Sequence, residues 1–200
     1  MNEKKRQRRP AFDREQGIAI SQVLFHQRGF DAVSLSDLTA AMNIKPPSFY
    51  AAYGSKAELF ERAMHRYANE NALPVDKLLT LDRPPADALA SLLIAAAKQY
   101  AGDNTLRGCL ITEGMRADDP IARNMAENLG EAGIQKIRRY LDQVFPEAAQ
   151  ALTDYLLITL RGLSAAACSG ISPKRLVAVA QIAGKAISEE FKASGIASDS

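Results

Sequence analysis

Four side chains in one short stretch combine cations, a hydroxyl and a phenol in a pattern suited to gripping a polyanion: Lys45, Ser48, Tyr50 and Lys56. Residues Pro46 to Tyr53 predict a helix of only about two turns, too short to stand as a core element, with Lys45, Ser48 and Tyr50 on its outer side. A short helix with a basic, polar and aromatic outer face suits the major groove of DNA. Lys56 stands at the start of the next predicted helix, where the macrodipole disfavours a cation unless an anion lies close. A DNA phosphate would supply that anion.

The elements that must position these residues are signalled around them. Ser34 and Asp37 have capping-box spacing ahead of Leu35, Leu38 and Met42, which share one face and predict a helix from Leu35 to Met42. Asn43 suits a left-handed turn, Ile44 supplies a buried contact, and Pro46 and Pro47 are accepted in a first helical turn. Two helices joined this tightly make a helix-turn-helix. Gly54 ends the second, and Ser55-Lys56-Ala57-Glu58 caps a connecting helix expected to reach Ala72. Upstream, Asp13 to Arg28 predicts a helix with Ile18, Ser21, Leu24 and Phe25 inward and Gly29 as its stop. His26 reads as a surface side chain of that helix, and Phe12, Phe30 and Phe49 as the closure of a small three-helix core.

Arg14 to Phe60 resembles the DNA-binding domain of the TetR (tetracycline repressor) family of bacterial transcription regulators. The residues that carry the likeness are Leu24-Phe25, Gly29-Phe30, Ser34, Leu38, Ala41, the run Ile44 to Tyr50, Gly54-Ser55-Lys56 and Leu59-Phe60. The resemblance implies phosphate contacts by Ser34, Tyr50 and Lys56, with Lys45, Pro47 and Ser48 facing bases. Two places depart from the family pattern: Ala51-Ala52 stands where an aromatic or histidine pair is common, and Pro46 where a basic residue is common.

Composition agrees with an all-helical fold, being biased towards alanine and leucine with few strand-like alternations. Residues 1–67 hold 11 Lys/Arg against 7 Asp/Glu, and the remainder 14 against 16, so the halves carry +4 and −2. The basic excess falls on the half with the helix-turn-helix. Lys4, Lys5, Arg6, Arg8 and Arg9 form a basic arm over residues 1–10, either a phosphate or minor-groove contact or a solubilising tail. No apolar stretch follows that arm, and the uncharged run Gly162 to Pro173 is far short of the ~20 residues of a membrane span. A cytoplasmic protein without membrane contact is expected. Cys109 and Cys168 fit neither a disulfide framework nor a metal spacing and read as reduced, buried packing residues. His26 and His65 lie on separate predicted helices with no phosphate loop or carboxylate-histidine spacing, so an enzyme, a metal and a cofactor are not expected.

Beyond the connecting helix, Leu73 to Pro85 predicts a linker or short irregular helix. Helices follow over Pro85 to Ala101, from the Arg107-Gly108-Cys109 run to Ala117, and from Pro120 to Phe145. The stretch Ala148 to Gly170 is apolar on two faces: Leu152, Leu156, Leu160, Leu163 and Ala167 on one, Tyr155, Thr159, Gly162, Ala166 and Gly170 on the other. Such a helix is buried on two sides. The last helix, Pro173 to Ala193, repeats the pattern. A homodimer is expected through Leu156, Leu160 and Leu163 with Leu176, Ala180, Ala183, Gly184 and Ile187. The resemblance completes the picture: an N-terminal three-helix DNA-binding domain over residues 11–54, a helical ligand-binding and dimerisation domain over 55–195, and about nine helices. It implies a repressor released from a pseudo-palindromic double-stranded operator by a small-molecule effector; the alternative is a ligand-independent or activating DNA-binding protein, with a helical-bundle enzyme a distant third. Tyr100, Cys109, Thr112, Glu113, Met115, Arg116 and Arg161 are candidates for the pocket, because they mix polar or soft groups into apolar helices.

Overall fold

The computed structural model describes residues 13–194, so the basic arm and Phe12 lie outside the described residues. Among the described residues all regular structure is helical, in ten α-helices and one 3-10 turn. The first four are α1 (Arg14–Ala32), α2 (Leu35–Ala41), α3 (Pro46–Tyr53) and α4 (Lys56–Asn71). Asp13 caps α1 by accepting from the Glu15 and Gln16 amides. Gly29 interrupts that helix at φ 76°, a conformation costly for any side chain with a Cβ, and the kink carries Phe30 into the core beside Phe60. The α2–α3 turn is made by Asn43, in the left-handed region at φ 53°.

These four helices close around aromatic rings. Phe25 meets Phe60 edge-on at 5.0 Å, and Phe49 meets Tyr53 at 5.5 Å. Phe25, Phe49 and Phe60 are fully buried, each contributing about 1.5–3 kcal/mol relative to exposure. The Tyr53 hydroxyl donates to the Arg14 carbonyl at 2.9 Å and ties the end of α3 to the start of α1. This core does not stop at the head, since Leu110, Ala117, Ala122 and Ala126 from later in the chain belong to the same buried cluster.

The remaining elements are α5 (Val75–Leu78), α6 (Pro85–Tyr100), α7 (Leu110–Gly114), α8 (Pro120–Val144), the 3-10 turn Pro146–Ala148, α9 (Ala149–Cys168) and α10 (Pro173–Ala193). The stretch expected to be a linker or irregular helix thus holds one helical turn, α5. Helix α7 is shorter than its predicted extension to Ala117. Its end tightens as the Arg116 and Ala117 amides turn back to the Glu113 and Gly114 carbonyls, three residues away. Asp119 then caps α8 through the Ile121 and Ala122 amides.

The C-terminal core lies between α6, α8, α9 and α10. Helix α10 runs along α6 so closely that a Cβ on Gly184 would stand 2.7 Å from the Ala90 Cβ, which only glycine permits. That packing relocates the residues expected at a dimer interface. Leu156, Leu160, Leu163, Leu176, Ala180, Ala183, Gly184 and Ile187 are all buried within the protomer. The richer apolar face of each helix goes to the subunit's own core, because α6 offers it Leu89, Leu92 and Leu93. The face left outward carries Tyr155, Ile158, Val179 and Ile182, exposed by 36%, 70%, 51% and 67%. Among the described residues no helix is long and apolar enough to cross a membrane.

Candidate nucleic-acid interface and internal cavity

The residues expected to meet DNA stand at the starts of α2, α3 and α4 and along the exposed side of α3. Lys45 occupies the N-cap position of α3 and is exposed there. Pro47, Ser48 and Tyr50 are exposed on the same helix. Tyr50 is 53% exposed although its ring stands edge-on against buried Phe49 at 5.7 Å, so its hydroxyl projects from a supported base.

Ser34 lies at the N-cap of α2, and its hydroxyl is already used. It accepts from the Asp37 amide at 3.1 Å and donates to the Asp37 carboxylate at 2.6 Å. The same carboxylate accepts from the Ser34 amide at 2.8 Å and pairs with Arg28 at 3.2 Å. These donors, Ser34 first, hold the Asp37 carboxyl far below the usual carboxylate range. A phosphate at this helix start therefore competes with Asp37 for the serine proton.

Lys56 sits on the first turn of α4, half-buried, with its ammonium 4.0 Å from the Phe30 ring centroid. Burial pulls its pKa below that of an ordinary lysine, against the opposing pull of Asp31, Asp119 and Asp37. Among the described residues no carboxylate forms an ion pair with it.

A second concave feature lies in the C-terminal half: a half-open cavity of about 320 Å³ between α4, α5, α6, α7, α8 and α9. Tyr100, Cys109, Thr112, Met115 and Arg161 line it, whereas Glu113 and Arg116 do not. Helical rotation separates them: Glu113 points its carboxylate towards Cys168, 4.0 Å from the sulfur, and Arg116 is exposed past the end of α7. Sequence reasoning missed Tyr67 and Asn71 on α4, Gly130 and Gly133 on α8, and Leu157 on α9. Two glycines inside one helix, each costing about 0.5–1 kcal/mol relative to alanine, were the available signal: a Cβ on Gly130 would collide with Met115 Cε, and one on Gly133 would face open space.

The two cysteines differ from their expected burial. Cys109 is half-buried on the cavity wall and Cys168 is exposed, both as free thiols. Burial of its sulfur nevertheless pushes the Cys168 thiol pKa up, with Glu113 adding to the effect. His26 also departs from expectation. It is half-buried, with its ring edge-on to Tyr67 at 5.3 Å and its Nε2 without a hydrogen-bond partner. Burial holds its pKa below the ordinary histidine value. Tyr67 thus touches α1 of the head with one side and the cavity with the other.

Comparison with known proteins fits this arrangement. The family model of the bacterial regulatory proteins, tetR family, matches residues 21–63, which span the helix-turn-helix. The chain is 42% identical over 176 residues to the HTH-type transcriptional repressor BdcR of Escherichia coli (strain K12), covering 88% of this chain and 89% of that protein. It is 26% identical over 188 residues to the HTH-type transcriptional repressor ComR of the same organism, covering 88% of this chain and 90% of that protein. Among solved structures, a cysteine-substituted form of the TetR family regulator CifR, complexed with 26 bp of double-stranded operator DNA, superimposes with a TM-score of 0.77 at 28% identity. That match covers 90% of this chain and 98% of CifR. With such identity to BdcR across nearly the whole of both chains, this chain belongs to the TetR family of bacterial transcription regulators.

Proposed function

We propose that this protein is a homodimeric repressor that binds a pseudo-palindromic operator and leaves it when a small-molecule effector fills the internal cavity. The observation that carries the reading is the reach of α4. Its first turn holds Lys56 at the DNA-facing surface, and its last turns supply Tyr67, Ala68 and Asn71 to the cavity wall. A ligand that favours one setting of this helix changes operator affinity by the ratio of its affinities for the two settings, a factor of ten for each ~1.4 kcal/mol.

The division of labour follows the chain: residues 11–54 act as the DNA-binding head and residues 55–195 as the effector and dimer body. Ser34, Tyr50 and Lys56 hold phosphates, and Lys45, Pro47 and Ser48 face base edges. Dimerisation uses the outward faces of α9 and α10, where an open groove of about 590 Å³ runs past Tyr155, Gly162, Ile182 and Ala186. Four of the chain's exposed large apolar side chains lie on this one surface, an arrangement suited to a self-complementary contact. The protein works in the cytoplasm, where its operator is.

The test is selection of fragmented genomic DNA by the purified protein at near-physiological salt, where specific sites bind typically ~10³-fold or more tighter than bulk DNA. Enrichment of one inverted repeat is the expected result. Retention of DNA without any enriched sequence would refute a specific operator.

A further inference from the structure

We infer that the effector taken by the internal cavity is a small apolar monocarboxylate, a class that follows from which hydrogen-bonding groups line the cavity and which do not. The inference rests on the reading of this cavity as the effector site.

The walls are mostly aliphatic, with Leu129, Ile134, Ile137 and Leu157 among them, and no aspartate or glutamate lines the cavity among the described residues. Glu113, the acid of α7, is turned away towards Cys168. Two cations do line it. Lys136 is already bonded to Asp76 at 2.6 Å. Arg161 is different: its guanidinium approaches the Met115 sulfur at 3.5 Å, and no carboxylate pairs with it among the described residues.

Tyr100 adds a second donor. It is 5% exposed on the cavity wall, and its hydroxyl has no hydrogen-bond partner among the described residues. The ring is buried while the hydroxyl stays accessible, so an acceptor placed in the cavity can take its proton without displacing a partner in the protein. An exposed guanidinium whose one side-chain partner is the weakly accepting Met115 sulfur, beside the Tyr100 phenol, is a donor set suited to an anionic acceptor, and a carboxylate matches the guanidinium fork. The volume sets the size. About 320 Å³ is room for about ten water-sized groups, near the lower end of small-molecule sites. A single-ring or medium-chain acid fits, with its apolar part against the aliphatic walls.

The experiment is calorimetric titration of the full chain with octanoate and benzoate, and with their neutral isosteres octanamide and benzamide. At least one acid should bind about tenfold more tightly than its amide, the size expected for a charge-assisted contact. Arg161→Gln should abolish that preference and Arg161→Lys, which keeps the charge but loses the fork, should preserve part of it. Tyr100→Phe should weaken the acid by several-fold, about the loss of one hydrogen bond. The inference is overturned by amides that match their acids, by a preference that survives Arg161→Gln, or by no heat from any probe. Operator binding measured on the same preparations separates the two levels. Failure there refutes the repressor reading, whereas intact operator binding with no acid preference refutes only the carboxylate.

Discussion

The Lys56 ammonium rests 4.0 Å from the centre of the Phe30 ring, joining the first turn of α4 to the kinked end of α1. The ring holds the charge at a helix start, where the macrodipole and partial burial both work against it. Lys56→Ala should therefore weaken binding to every DNA sequence, and the slope of log affinity against log salt should shrink by about 0.9, the share of one phosphate. Phe30→Leu, which keeps an apolar side chain but removes the π face, should give a smaller loss of the same kind. Fluorescence anisotropy at several salt concentrations reads both. An unchanged slope in Lys56→Ala would mean that no phosphate sits there.

Ser34 and Asp37 exchange bonds at the start of α2, and that box is worth stability as well as position. Ser34→Ala should cost about 0.5–2 kcal/mol. In a chain of this length that lowers Tm by about 2–4 °C per kcal/mol. Ser34→Thr, which keeps the cap, should restore most of it. Thermal melting followed by circular dichroism decides the matter, and equal melting of wild type and Ser34→Ala would argue that the cap contributes nothing.

The two sides of α9 and α10 should respond differently to substitution. Ile158→Glu with Ile182→Glu places charge on the outward face, and light scattering should find monomers that keep their helical content. Gly184→Leu instead forces bulk against Ala90 inside the protomer and should lower Tm by several degrees, since overpacking costs about 1–3 kcal/mol. A double variant that still sediments as a dimer would place the interface elsewhere.

His26 links stability to pH with a definite sign. Its pKa in the folded chain lies below 6.5, first because of burial, opposed by the Arg107 and Gly108 backbone and by Asp103. The folded state therefore holds fewer protons than the unfolded chain below that value. The stability from a neutral His26 is full above 6.5 and declines as pH falls from 6.5 towards the folded value. On acidification from about pH 7.5 to about pH 5.5 the wild type should lose more Tm than His26→Gln, in which Asp37 and the other acids are unchanged. Parallel curves would rule out a contribution from this histidine.

Much of the architecture is written locally. Asp13, Ser34 and Asp119 stand at helix starts as N-caps, Gly29 and Gly54 break or end helices, and Pro46, Pro85, Pro120 and Pro173 open them. These signals act through hydrogen bonds and backbone angles within about one helical turn, so neighbours in sequence suffice to read them. The exposed residues of the short helix α3 are legible for the same reason. What each helix packs against is a different kind of fact. Helices α9 and α10 carry two apolar faces, and which one turned outward depended on where α6 landed. The cavity depended on it too: Tyr67, Gly130 and Leu157 are far apart in the chain and meet only after closure. Even His26 became half-buried only because Tyr67 and the Arg107–Gly108 backbone came to lie beside it. Local signals were enough to read most helix starts and the side chains that the helix-turn-helix presents, while the continuation of α1 past Gly29, the turn α5 and the early end of α7 were not legible in them. Only the tertiary structure decided which apolar face stayed open and which polar groups share a cavity, because both depend on burial against partners distant in sequence.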